Sequence, residues 1–213
     1  MESLSLPRSI LSWCLIPILL CGLCILGGGL LWAEGFSIIE ENALLDDMCI
    51  FFLALAVCLS VRHVSYVENN TVWISHAVLG MLFLSIMIRE VDIHRLGSAT
   101  VWETVEWVIR LSAAFVWLYL SALVFRKWKR LWRIRSQILF SPTSFLTAVG
   151  ILFYMISWFY DKSASPNQEW NRLWEELLQL NGTIFFFAAS LRPLPLHDPV
   201  STPGIDGGRG GAQ

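Results

Sequence analysis

The chain has 213 residues, of which 55% are hydrophobic and only 15% charged; its formal net charge is −2 and its mean hydropathy +0.59. A soluble domain carries about 25% charge, so this composition cannot coat a globule, and it excludes intrinsic disorder for all but a tail. The sequence is that of a membrane protein, and the expected fold is all-α: an integral membrane bundle of about six transmembrane helices.

The predicted helices follow from apolar runs, since a hydrocarbon core of roughly 30 Å needs about 20 apolar residues in a helix. In chain order they cover about 10–32, 48–67, 72–88, 105–125, 145–160 and 173–190, the fifth being short. The first is too long for a signal peptide core, and Leu31-Trp32-Ala33 is a poor cleavage site, so it reads as a retained helix. Strict alternation is missing, which excludes a barrel. Between the fourth and fifth spans, about 126–140, Trp128, Leu131, Trp132, Ile138 and Leu139 share one helical stripe and the opposite face is basic. Such a helix lies on a leaflet, and the run 126–135 is expected to meet the bilayer's anionic lipids. It is too short, too tethered and too rich in Trp to suggest nucleic acid. Ser165-Pro166-Asn167-Gln168 forms a capping box before the sixth helix. Proline and glycine after Ser190 forbid a continued helix, so 192–213 reads as a disordered cytoplasmic tail.

Basic residues set the orientation. With the N-terminus inside, the inside segments hold Arg8, Arg62, Arg126, Lys127, Lys129, Arg130, Arg133, Arg135, Arg192 and Arg209, ten of fifteen. An even number of spans then leaves both termini cytoplasmic. In a bacterium this means the inner membrane, with the acidic loops in the periplasm. Trp residues cluster near both sets of boundaries, as interfacial anchors do.

The residues able to carry chemistry gather at the outer helix ends. Glu40 to Asp47 precedes the second span, Arg89 to Arg95 closes the third, and Glu103, Glu106 and Arg110 open the fourth on one helical face. Glu90, Glu106 and His94 are the candidate catalytic residues; Arg110, Glu41, Asp92 and Glu103 are the candidate binding residues. Arg110 falls below the outer surface and should turn into the bundle toward a carboxylate, with Glu106 the nearest. Two readings stay open: an ion-pair network that fixes helix register, or a pocket open to the outer side that binds a cation, handles a proton or holds a polar substrate. His94 is the one histidine on that side, which is too few nitrogen ligands for zinc, and no loop has a calcium pattern, so no metal is expected. His63 and His76 lie at similar depth near the inner ends and could face each other. Nothing else points to haem, and no cofactor is expected. The five cysteines imply no disulfide framework, and Gly22 and Gly27-Gly28-Gly29 read as close-packing positions.

The acidic stretch Glu41-Asn42 to Asp47, followed by Arg89-Glu90-x-Asp92-x-His94, resembles a group of uncharacterised bacterial multi-pass inner-membrane proteins over about residues 34–95. The resemblance implies a bacterial membrane location and no specific activity. No Walker loop, GxSxG elbow or HExxH is present. The expected function is a non-catalytic binding, accessory or transport-associated component with an acidic outer site. The alternative is an enzyme acting on a lipid or lipid-linked substrate by carboxylate and histidine acid–base chemistry.

Overall fold

A computed structural model of the chain describes residues 8–33, 38–66, 70–91, 100–162, 168–192 and 194. Seven helices account for almost all of them: α1 (Arg8–Ala33), α2 (Ile38–Tyr66), α3 (Asn70–Glu90), α4 (Thr100–Arg126), α5 (Trp128–Leu139), α6 (Pro142–Lys162) and α7 (Gln168–Ser190). No strand occurs among the described residues. In lipid, a helix satisfies its own backbone, which is why apolar runs of this length take that form. The chain is therefore an all-helical, multi-pass membrane bundle.

Four helices, α2, α3, α4 and α6, are long and apolar enough to cross a bilayer; the described apolar stretch of α1 is Pro17–Gly29. α7 is not among the four. Glu175, Glu176, Gln179 and Asn181 dilute its hydropathy. Yet α7 is the axis of the fold: it packs most extensively against α6 and α2, and also against α1. Its residues from Leu173 to Ser190 are almost all buried or half-buried. α3 packs on α2, while α4 packs mainly against α3, with a smaller contact to α5.

Element boundaries differ from the sequence pattern where polar residues join helices. α2 begins at Ile38, so the acidic run Glu40 to Asp47 is helical rather than a loop. α4 begins at Thr100, with Glu103 in its first turn, where a carboxylate favours the positive end of the helix dipole. α6 begins at Pro142 rather than near 145. Ser141 is its cap: the Ser144 N–H donates to Ser141 Oγ at 3.1 Å, and Pro142 occupies the first helical position. The capping box expected at 165–168 lies mostly outside the described residues, as do 195–213 of the expected tail.

Two features fix the packing. Gly150 of α6 and Gly182 of α7 bring two backbones together. A Cβ on either would stand 3.0 Å from the other's carbonyl oxygen, and within 2.6 Å of a Phe186 or Tyr154 ring. Phe186 then stacks on Tyr154 and meets Phe83 of α3, which closes the core. Of the glycines in α1, Gly28 meets a neighbour, Leu177; Gly22, Gly27 and Gly29 face open space, so the close-packing expectation holds at one position only.

Hydroxyls in the core are satisfied by their own helices. Ser60, Ser85 and Thr147 donate to carbonyls four residues back, and Ser157, Thr183 and Ser190 to those three back. This lets small polar residues sit in apolar surroundings without a partner helix.

Candidate functional site

Two polar centres lie at opposite ends of the bundle. At one end, α2, α3, α6 and α7 converge. α2 contributes Asp46 and Cys49, α3 contributes Glu90, α6 contributes Tyr154, and α7 contributes Glu175, Glu176 and Thr183. Glu90 feels the charges of Arg89, Asp46 and Glu175. Glu176 feels Asp46 and Glu175 and is held by Arg172, whose Nε lies 3.2 Å from Glu176 Oε1. Gln179 Nε2 donates to Glu175 Oε1 at 3.2 Å. Cys49 is 2% exposed, lies beside the Thr183 hydroxyl and interacts with Glu90. Tyr154 interacts with Glu90, Cys49 and Asp46.

Among the described residues, buried polar atoms without a partner are Glu90 Oε1 and the Tyr154 hydroxyl in this cluster, and both amide atoms of Asn181 on α7, whose backbone carbonyl faces Cys21. Tyr154 is 8% exposed and Asn181 0%. A serine can bond its own backbone, but a tyrosine or asparagine at these positions does not. Leaving such a group unpaired costs about 1–3 kcal/mol. Buried groups of this kind call for a partner such as water, an ion or a ligand.

The sequence-derived candidates divide. Glu90 belongs to this acidic cluster, with Asp46, Tyr154 and Glu175 as its neighbours. His94 and Asp92 lie outside the described residues; Glu41 is in the first turns of α2, and its side chain is outside them too. Glu103, Glu106 and Arg110 share one region of α4, as their spacing requires; Glu103 and Arg110 are exposed, while the Glu106 side chain is largely covered, at 15% exposure. The Arg110 side chain is 64% exposed, and its guanidinium is paired with Glu106. Arg110 was expected to turn into the bundle toward a carboxylate; it finds Glu106 on its own helix but stays exposed, because among the described helices α4 packs mainly on α3. Glu90 and Arg110 therefore have different ionic partners.

Cys49, Tyr154, Glu175 and Glu176 were not singled out from sequence as site residues, whereas Asp46 lay within the acidic stretch Glu40 to Asp47. Two adjacent acids in a helix of membrane length were a usable signal for α7. A lone tyrosine in the apolar run of α6 offered none.

At the other end, His63 and His76 do face each other, with ring centroids 5.2 Å apart. His63 Nε2 is 3.0 Å from the Ser190 carbonyl, and His76 Nε2 accepts from the Leu194 N–H at 3.3 Å. The Arg192 carbonyl accepts from Thr143 Oγ1 at 3.4 Å. The Nε2 atom of each ring is thus engaged, one by the last residue of α7 and the other by the segment that follows it, and residues 192 and 194 are seated on the bundle. These contacts tie the chain end down; iron ligation by the pair would break them.

A third feature is apolar. A cavity of about 320 Å³ opens between α3, α4, α5 and α6, lined by Val78, Leu82, Trp117, Val124, Leu131 and Ile138 among others. Trp117 Nε1 donates to Ser85 Oγ at 2.9 Å across its wall. α5 roofs it with Leu131 and Ile138. The helix exposes Trp128 and Trp132, which stack on each other; the Arg135 guanidinium lies 4.0 Å from the Trp132 ring centroid.

Among the described residues, no three His, Cys, Asp or Glu side chains converge as metal ligands, and the described cysteines are free thiols. No family model matches the chain, and neither does any curated protein or solved structure.

Proposed function

We propose that this chain is a non-catalytic binding or transport-associated component of a bacterial inner membrane, whose acidic chamber takes up a small cationic or proton-donating ligand from the periplasmic side. The observation that carries the reading is a pair of buried polar atoms without a partner, Glu90 Oε1 and the Tyr154 hydroxyl, which interact with each other and with Asp46, while Glu175 and Glu176 stand nearby on α7. The ligand class follows from charge: four acids face two arginines, Arg89 and Arg172, so the chamber favours a cation over an anion.

The orientation follows the distribution of cations. Six of the fifteen basic residues lie in the α4–α5 junction and α5 (Arg126, Lys127, Lys129, Arg130, Arg133, Arg135), and a short loop so rich in them stays cytoplasmic. The His63–His76 end shares that side, which leaves the acidic chamber outside. α5 then rests on the inner leaflet with Trp128 and Trp132 among headgroups, and its cations draw anionic lipid.

A thermal-shift titration of the purified full chain tests the ligand class. Sodium, calcium, magnesium and a small alkylammonium ion are each added at constant ionic strength. A stabilising ion raises the melting temperature as its concentration passes its dissociation constant. Glu90→Gln and Tyr154→Phe should remove that rise while leaving the fold intact. An unchanged response in both variants, or no response to any of these ions and to pH, sinks the reading. A reporter fused after Gln213 checks the cytoplasmic C-terminus.

A further inference from the structure

α4 has more uncovered surface than any other candidate span: 6% of its apolar stretch is buried. That surface is not uniformly apolar. Glu103, Arg110 and Ala114 recur at spacings of seven and four, which sets them on one stripe of the helix, and Glu106 borders it. Glu103, Arg110 and Ala114 are exposed, and Arg110 is held by Glu106. The span Val101–Arg126 has 26 residues and is therefore about 39 Å long. Centred on a core of roughly 30 Å, it carries Arg110 about 9 Å below the boundary. Charged side chains at such depth face protein or water and not lipid. The described residues of this chain leave the stripe uncovered, which makes it a surface for another protein to cover.

We propose that the stripe is the interface with a second copy of this chain, two α4 helices running parallel about a two-fold axis normal to the membrane. A two-fold interface requires a patch that complements itself. This one does, because both signs of charge stand one turn apart. At 1.5 Å per residue the other copy's Glu106 lies about 6 Å from the depth of Arg110, one helical turn away and within reach of the long guanidinium side chain. A face of one sign would instead require a partner of the opposite sign. Ala114, and Ser121 a further seven residues on, are small, and small residues let membrane helices approach closely. This interface uses α4 alone and is independent of the acidic chamber.

The test uses the full chain reconstituted in lipid vesicles, with single-molecule photobleaching read across a dilution series in lipid. In a second arm, cysteine is placed at Ala114 or at Ser112 after the native cysteines are replaced by alanine. Ser112 is exposed on a different side of α4, so it serves as the control. The expected result is two-step bleaching and disulfide cross-linking through A114C but not S112C. Removing both charges (Glu106→Ala with Arg110→Ala) should weaken the dimer by about tenfold or more in dissociation constant. The swap Glu106→Arg with Arg110→Glu should restore it. A melting curve for each variant shows that the protomer still folds. Single-step bleaching at every dilution overturns the proposal, as does equal cross-linking at 112 and 114, or a dimer indifferent to the double alanine variant. A monomer whose A114C is protected by a different copurifying membrane protein overturns it as well.

Discussion

α4 and α7 invert the usual relation between hydrophobicity and burial. α4 has a mean hydropathy of 1.9 over its span and is the least buried of the four candidate spans; α7 has too many polar residues to qualify as a span and sits at the centre. In water the most apolar helix would be the core. In a bilayer the solvent is itself apolar, so hydrophobicity marks what lipid touches, while interhelical contact is decided by small residues and satisfied polar groups. Gly150, Gly182 and the self-bonded hydroxyls around them follow that logic.

The contrast can be broken by substitution. The largest effect is expected at the α6–α7 crossing. Gly182→Ala places a methyl 2.6 Å from Tyr154 Cδ2 and 3.0 Å from the Gly150 carbonyl oxygen. Overpacking of this kind costs about 1–3 kcal/mol, read as a lower unfolding midpoint in detergent. Next comes His76→Phe, which strands the buried Leu194 N–H and lets the exit segment lift. A loss of about 1 kcal/mol is expected, with new proteolytic cleavage after Leu191; a protease map identical to that of the parent would show that the histidine does not hold this end. Tyr154→Phe should go the other way. It removes a buried hydroxyl that has no partner, so stability should hold or rise by up to about 1 kcal/mol while cation-dependent stabilisation disappears. A clear loss of stability there would mean that the hydroxyl has a structural partner. The smallest effect belongs to α4: Leu118, 67% exposed, should tolerate Leu118→Ala within about 0.5 kcal/mol in detergent. A larger cost at Leu118 would abolish the contrast between the two helices.

The two polar ends differ in a second way. At the histidine end, the Nε2 atoms of His63 and His76 have backbone partners, and their contacts read as structural. At the acidic end, Glu90 and Tyr154 keep unpaired atoms. Satisfied polar groups hold a fold together; the unsatisfied ones need a partner, and the proposed cation would supply it.

Much of the architecture was legible without coordinates. The apolar runs located the helices, because hydrocarbon thickness imposes a length, and the 3.6-residue period exposed α5 as amphipathic. The pairing of His63 with His76 could be anticipated from depth alone. Glu90 stood out as an ionisable group at the end of a span. The position of Arg110 could not be anticipated. Spacing puts Glu103, Glu106 and Arg110 on one side of α4, but it carries no information about which side meets α3. Depth along a single helix is a local property, written in the order of residues. Which helix lies at the axis, and which acids share a chamber with Tyr154, depends on contacts between residues more than a hundred positions apart, such as Cys49 with Thr183. Those contacts form only when all the helices pack together. For this protein, the sequence alone determined the membrane class and the helical segments. Tertiary packing alone decided that polar α7 is the centre and apolar α4 the rim, because in lipid the hydrophobic effect no longer ranks helices by burial.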